Sequence, residues 1–388
     1  MSQKKEPFTF YTQTHEVPTK DWNQVIANSD LFLSLTYLEA LSLALSHEMP
    51  WVYVLVYADT KPIVAGVFQI ATFTYKKGAQ TNLLLKLFQD CKNKDDSVSI
   101  RGLVCGNMFA TGTHGYAYSK DVSFKAATEL MASAAKQLGK MKTYEEAFSI
   151  QLFKDFNAAS ASELGVLDDF KYRSFQADVT MVLPIHETWH TFPHYLDSMK
   201  AKYRTKVKSA FKKASALQLV SLSVSEIEEY EDRLLELFNT VQQQSEYSYG
   251  ENYPKAFKTL KENLGELFIC KGAFLGETLI GFSTAFINGA TLEASYVGID
   301  YTYNTKYALY ERLLYNYVEE AILHNATLLH LGRTSELIKS ALGATPQHMT
   351  LYAKHTSKFK NALLKPILEK ITPSEFALRK PFKTDFYN

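Results

Sequence analysis

The chain has 388 residues, 46% apolar and 21% charged, with 42 Lys+Arg against 41 Asp+Glu and a formal charge of +1. That composition is globular and excludes a disordered chain, and the balanced charge excludes a whole-protein basic field of the kind that gathers DNA. The length suits two domains of roughly 150 residues or more rather than one.

Aromatic residues are in excess: 24 Tyr, 25 Phe and 3 Trp make up 13% of the chain. A tyrosine joins an apolar ring to a polar tip, so such a surplus serves clefts as well as cores. Three cysteines (Cys91, Cys105 and Cys270) form no C-x-x-C pair, which speaks against a disulfide framework and a zinc knuckle. Met1–Pro7 carries charge with no apolar stretch behind it and reads as no signal peptide. No run approaches the roughly 18 apolar residues of a spanning helix. The expected location is the cytoplasm, extending to the inner membrane surface. Neither an H-E-x-x-H helix nor a G-x-S-x-G elbow occurs, so no metal and no nucleophile triad are expected.

In chain order, Trp51–Tyr57 reads as a strand, Ala58–Pro62 as a polar turn and Ile63–Tyr75 as the returning strand of a hairpin. Leu103–Cys105 follows as a strand and opens into the glycine-rich loop Gly106–Tyr116. A helix near Ser123–Leu138 and a strand at Phe148–Phe153 come next. The loop carries Asn107, Thr111, Thr113 and His114. It reads either as a polar acceptor pocket, with Asn107 and His114 touching substrate, or as a plain surface loop.

The most charged segment lies between the halves. Seven basic residues fall between Lys200 and Lys213, with no acid from Asp197 to Glu226, and Leu196, Met199, Tyr203, Val207, Ala210, Phe211 and Ala214 recur at helical spacing. This is a basic amphipathic helix. It is either one packed stripe with a solvated face or an anion site, and the anion could be a phosphate-bearing donor, a tRNA backbone or an acidic lipid surface. Ile227–Asn263 is helical in pattern without sustained heptads.

The earlier order then repeats. Leu267–Lys271 and Leu279–Phe286 form a hairpin through Gly276-Glu277, followed by a strand at Leu292–Ile299, a polar aromatic loop, a helix near Lys306–His324 and a strand at Thr327–Leu331. We therefore expect a mixed α/β fold of two tandem units, 1–186 and 187–388, each a central mixed sheet flanked by helices. After Leu331, Gly332 permits a sharp turn, Thr334 is placed to cap a short helix, and Gly343 and Pro346 end it. Arg333 and Lys339 fall on this strand–helix corner, where an arginine holds a carboxylate or phosphate, or else ties the corner to an acid such as Asp300.

Several of these segments carry a resemblance. Leu279–Phe282, Gly298–Asp300, Tyr310 with Leu313-Leu314, and Leu331–Ser335 with Lys339 and Gly343-Ala344 resemble the GNAT superfamily of N-acyltransferases. More narrowly they resemble its FemAB-like, peptidoglycan-biosynthesis branch with tandem GNAT units, as does the basic run Tyr203–Lys208. The resemblance implies transfer of an acyl group from a thioester or aminoacyl ester to an amine. It also implies that the strand Ala294–Ile299 polarises the acyl carbonyl, while the following helix start receives the donor pyrophosphate on Tyr303, Asn304, Thr305, Lys306 and Tyr307. That stretch departs from the Q/R-x-x-G-x-G/A loop of ordinary GNAT acetyltransferases, because Tyr303–Ala308 contains no glycine.

The resulting expectation is an N-acyltransferase using acyl-CoA or an acyl carrier protein as co-substrate, with no permanently bound cofactor. Asp300, Arg333 and Lys339 are its candidate catalytic residues, and Glu293, Tyr296 and Tyr307 further candidate proton carriers. Asn107, His114 and Tyr296 are the candidate substrate contacts. The acceptor is expected to be a small-molecule or lipid amine, with peripheral membrane contact through the basic helix. An aminoacyl-tRNA-dependent transferase acting on a cell-wall precursor ranks second, since no coiled-coil arm is patterned. A non-catalytic ligand-binding protein is the third reading. The tyrosines fall in two groups: 296, 301, 303, 307 and 310 near the donor approach, and 247, 249 and 253 before the second hairpin.

Overall fold

Apolar strand runs, folded back by two-residue turns, form a hairpin in each half of the protein. The computed structural model describes residues 7–27, 30–75, 91–92, 98–144, 147–244, 247–248, 250–368, 371 and 375–386. Cys91, Tyr247 and Tyr249 lie outside the residues whose side chains are described. Two units form. The first comprises Met1–Ala177, Glu246–Gly250 and His348–Pro373, and the second comprises Asp178–Ser245, Glu251–Gln347 and Ser374–Asn388.

The first unit is built on strands β1 (Phe8–Tyr11), β2 (Trp51–Ala58), β3 (Lys61–Tyr75), β5 (Val98–Cys105), β7 (Ile150–Phe156), β17 (Thr350–His355) and β8 (Arg173–Phe175), in that spatial order. The short strands β4 (Cys91–Lys92), β6 (Tyr116–Tyr118) and β11 (Tyr247–Ser248) pair at its margins. Its helices are α1 (Thr19–Ile26), α2 (Leu35–Ala44), α3 (Phe124–Leu138), the single turns α4 (Ala158–Ala161) and α5 (Val166–Asp169), and α14 (Lys358–Leu368). The expected hairpin forms, with Ala58 opposite Lys61 across the turn. Ser123 caps α3 by accepting the Ala126 N–H at 3.2 Å, and α3 buries Ala127, Met131, Ala134, Ala135 and Leu138 on the sheet. Strands β5 and β7 run parallel, with Gly102 opposite Ile150 and Cys105 opposite Phe153.

The second unit repeats this plan. Its sheet order is β10 (Leu217–Ser221), β12 (Phe268–Leu275), β13 (Thr278–Asn288), β14 (Thr291–Ile299), β15 (Leu328–His330), β9 (Val179–Pro184) and β16 (Thr345–His348). Helices α6 (Phe192–Ser198), α7 (Ala201–Lys213), α8 (Val224–Glu229), α9 (Glu231–Gln242), α10 (Phe257–Leu264), α11 (Tyr301–Tyr307), α12 (Leu309–Leu323) and α13 (Glu336–Ala341) surround it. The central helix α12 buries Leu314, Tyr317, Val318 and Ala321 against Leu292, Leu329 and Leu183, the buried leucine and valine side chains each contributing about 1.5–3 kcal/mol through lost apolar exposure. On the other face, Phe238 of α9 and Phe257 of α10 pack with Tyr253, Phe268, Phe282 and Phe286. Gly298 is required there, since a Cβ would lie 2.0 Å from the Phe282 ring.

Three sequence expectations change. The division at residue 186 is displaced: β9 pairs with β15 in the second sheet, and β17 returns from the C-terminal part to pair with β7 and β8 in the first. Strand pairing is non-local, so these memberships follow from partners far away in sequence. The basic helix is two helices, α6 and α7, because Met199 and Lys200 are extended and bind the C-terminal segment. Met199 bridges to Phe382, and the Lys200 N–H donates to the Pro381 carbonyl at 2.8 Å. Finally, Tyr303–Tyr307 is no loop but most of the short helix α11, which Ala308 ends in a left-handed conformation (φ 49°) before α12 begins.

Candidate active site

The donor-side geometry expected of the second unit depends on how β14 meets its neighbours. Strand β14 pairs with β15 only through Thr291–Leu328, Leu292–Leu329 and Glu293–His330. Beyond His330 the chain turns to β9, with the Leu331 N–H donating to the Met181 carbonyl at 2.8 Å. Among the described residues, Ala294–Ile299 therefore has no strand partner on that edge. The opposite edge is bulged: Ser283 pairs with Val297 but Ala285 with Ala294, so Ser295 and Tyr296 together oppose Thr284. Thr284 fills the gap. Its Oγ1 accepts the Tyr296 N–H at 3.1 Å and donates to the Tyr296 carbonyl at 3.3 Å. From α12, the Tyr317 hydroxyl donates to the Thr284 carbonyl at 3.1 Å and to the Tyr296 carbonyl at 3.3 Å.

At the fork itself, where β14 and β15 part, the Glu293 carboxylate meets His330 Nδ1 at 2.9 Å, and His330 Nε2 lies 3.4 Å from the Thr180 hydroxyl. Leu292 packs toward α12, so strand alternation turns Glu293 to the opposite face. Tyr296 is on that face too, its ring 4.8 Å from Tyr253 and 5.3 Å from Phe238. The Tyr253 hydroxyl approaches Ser295 Oγ at 3.3 Å. Tyr296 is thus part of an aromatic wall beside the fork, and Tyr253 joins it as the second tyrosine group suggested.

Asp300 has a structural task. It caps α11, accepting the Thr302 N–H at 3.1 Å and the Thr302 hydroxyl at 2.6 Å, and it pairs with Arg233 of α9 at 2.8 Å. Burial works upward on this carboxyl, but the bonds from Thr302 and Arg233 outweigh it and hold the carboxyl below its ordinary range. A carboxylate so engaged is a poor proton acceptor, and the expected catalytic role of Asp300 gives way to capping. Arg233, not Arg333, is the arginine that ties Asp300 down. Sequence separation hid this pair, since its members stand 67 positions apart.

In α11, Thr305 and Lys306 are exposed and Tyr303, Asn304 and Tyr307 half-buried. Lys306 Nζ lies 5.0 Å from the Tyr307 ring centroid, and the Tyr303 and Tyr307 rings are 6.3 Å apart. The Asn304 side-chain carbonyl accepts the Tyr310 N–H at 2.9 Å. One of the first amides of α12, where a donor phosphate would bind, is therefore already capped from within the chain.

The corner after β15 is folded tightly. Gly332, Thr334 and Ser335 all have positive φ (68°, 62° and 56°), and a β-branched threonine in that region is strained. Ser335, not Thr334, occupies the cap position of α13, without a side-chain cap. Arg333 is half-buried. Lys339 is buried and donates to the Arg333 carbonyl, and burial pushes its ammonium down to about 7 while Glu336 works the other way. Its place is beneath the corner, as a support. Tyr310 of α12 reaches the same corner. Burial raises its hydroxyl above the ordinary tyrosine value, and a hydrogen bond with Ser335 works against that rise. The sequence signal for Tyr310 was its place in the helical stripe, which also fits mere packing.

The two first-unit residues expected to touch substrate are engaged by their own loop and its neighbours. Asn107 is fully buried, donating to the Tyr37 hydroxyl at 3.0 Å and accepting the Phe109 N–H at 2.9 Å. His114 bridges Asp30 at 2.7 Å and the Thr111 carbonyl at 3.1 Å. Both hold the loop in shape. Where β5 leaves β7, the space is filled from within: Lys154 is buried, paired with Asp155, and donates to the Asn107 and Ala110 carbonyls at 2.9 and 2.8 Å. The same loop does contribute Thr113 to a pocket of about 330 Å³, lined also by Tyr116, Tyr118, Phe124, Ser160 and Glu163.

No protein-family model matches the sequence, and no curated protein matches it. Solved structures do. The chain superposes on FemX with a TM-score of 0.54 at 12% identity, over 94% of this chain and 100% of FemX. It also superposes on the C-terminal domain of a putative lysylphosphatidylglycerol synthetase from Agrobacterium fabrum, with a TM-score of 0.50 at 7% identity, over 92% of this chain and 97% of that domain. Two successive units, each with a hairpin, a parallel strand pair and a crossover helix, match the expected architecture. The chain has the fold of FemX, in two tandem mixed α/β units as expected from the sequence.

Proposed function

We propose that the chain transfers an acyl group from an activated acyl donor to an amine, and that the reaction takes place at the β14–β15 fork of the second unit. The observation that carries this reading is the open edge of β14, free of β15 from Ala294 onward, with the strand's bulge on its other edge against β13. Main-chain N–H groups on such an edge are fixed in place and can stabilise the oxyanion that forms when an amine adds to a carbonyl. In the reaction the amine nitrogen bonds to the carbonyl carbon, and the carbon–sulfur or carbon–oxygen bond to the donor then breaks. The amine must lose a proton and the leaving group must gain one. Glu293, held by His330, takes the first. Tyr310, which keeps its proton at neutral pH, supplies the second. Arg333 holds the anionic part of the donor, and Lys339 and Asp300 position the corner and α11.

The donor is a thioester of coenzyme A or of an acyl carrier protein. An aminoacyl-tRNA donor is the second reading. It is favoured by α11 standing where a glycine cradle would be, by the Asn304 cap on α12, and by exposed lysines 202, 206, 208, 212 and 213 of α7. One structural neighbour is itself a putative lysylphosphatidylglycerol synthetase.

The test is transfer itself. The protein is incubated with acetyl-CoA, long-chain acyl-CoA, an acylated carrier protein or charged tRNA, each with a panel of primary amines, and products are read by mass spectrometry. A new amide from one donor class, lost in Glu293→Gln, supports the reading. No amide from any donor overturns it.

A further inference from the structure

Helix α14 (Lys358–Leu368) has an unusual outward face. At about 100° per residue, its inward side is set by the buried residues Asn361, Leu364 and Leu368, the two leucines packing with Ile100, Ala353 and Phe175 and Asn361 bonding to the main chain of His355 and Lys171. Directly opposite fall Phe359, Ala362, Leu363 and Pro366, all apolar and all exposed. Phe359 is 75% exposed, and Leu363, one turn later, 37%. An ordinary surface helix puts charge at that pole. Here Lys358 and Lys365 lie to one side of the strip and Lys360 to the other, and no acid occurs from Thr356 to Leu368.

We propose that α14 is an interfacial helix that docks the protein on an anionic lipid bilayer, with Phe359 and Leu363 entering the acyl boundary and the flanking lysines meeting lipid headgroups. Two arguments select a bilayer over a protein partner. The strip is one helix wide and about 16 Å long, well short of the roughly 1,000 Å² that a stable protein interface buries. The arrangement of an apolar pole between lysines is what an interface between hydrocarbon and anionic headgroups rewards, because the lysine stems lie along the apolar layer while their ammonium groups stay at the charge. The basic helix α7, on which the sequence placed membrane contact, lacks this combination. Its apolar residues Val207 and Ala210 are used by the unit's own core, leaving an outward face of lysines with Ala201, Thr205 and Ser209 and no large exposed apolar side chain.

The experiment is sedimentation of the full chain with vesicles of phosphatidylcholine alone and of phosphatidylcholine mixed with phosphatidylglycerol. Binding is expected to the mixed vesicles, weakening as salt rises. Phe359→Ser should weaken it about tenfold, and each of Lys358→Gln and Lys360→Gln about fivefold at low salt. Phe359 takes no part in the packed core, so circular dichroism of Phe359→Ser should match the parent, and this variant separates lost docking from lost fold. Absence of binding to mixed vesicles, or binding indifferent to Phe359→Ser, overturns the proposal. So does a dimer in solution that Phe359→Ser dissociates, since the strip would then belong to a second copy.

Discussion

The Thr284 hydroxyl occupies the bulge of β14, engaging both the N–H and the carbonyl of Tyr296 at 3.1 and 3.3 Å. A bulge leaves one residue of the strand without its ladder partner, and here a side chain from the neighbouring strand takes the partner's place. Thr284→Val keeps the shape and removes the hydroxyl. It should cost about 1–3 kcal/mol, because a buried N–H loses its acceptor, and lower kcat more than tenfold as the edge relaxes. Urea denaturation and steady-state rates check both. A destabilised variant with full kcat would separate the bulge from the reaction.

Glu293 and His330 should act as a pair. Glu293→Gln is expected to lower kcat by about 10²–10⁴, the range of general acid–base catalysis, with KM little changed. A merely structural glutamate would lower stability and leave kcat of the folded protein intact. His330→Ala should lower kcat less.

Lys339 gives a pH signature of stability. Its folded value of about 7 lies below the ordinary lysine value of 10.5, so between those limits the unfolded chain holds a proton that the folded chain does not. Stability should therefore rise with pH from about 7 toward 10, with a slope of at most about 1.4 kcal/mol per pH unit, and level off below 7. Thermal unfolding of the parent and of Lys339→Met over that range checks this. The methionine variant should lose the rise.

Asp300 is expected to behave as a cap. Asp300→Ala should cost about 1–2 kcal/mol through loss of the α11 cap and leave the pH profile of kcat unchanged. With the carboxyl held below its ordinary range, its contribution is present at neutral pH and lost as acid protonates it. Chemical denaturation at pH 7 and at pH 3 separates the two regimes. A changed pH profile of kcat would return Asp300 to the chemistry.

Asn107 and His114 should register as stability only. Asn107→Ala leaves the buried Tyr37 hydroxyl and Phe109 N–H without their partner and should cost about 1–3 kcal/mol, with KM for both substrates unchanged. A KM effect in a variant of full stability would restore a substrate role to the loop.

The sequence by itself determined the elements whose signals are local. The hairpins at Ala58–Lys61 and Gly276-Glu277, the Ser123 cap of α3 and the stripe of α12 can all be read from neighbours within a few residues, because turns, caps and helical faces are set at that range. The repeated order of these elements, with the resemblance carried by Gly281 through Gly343, was enough to give the fold. Tertiary structure alone decided everything that depends on partners distant in sequence. It moved β9 and β17 to the sheets where they pair, split the basic helix at Met199 through its bridge to Phe382, and gave Asp300 to Arg233. It brought Glu293 to His330, Thr284 into the bulge and Lys339 beneath Arg333. The physical reason is common to all of them. A charged or polar group is defined by what satisfies it once water is removed, and even the side-chain pairs among these partners lie up to 67 residues apart.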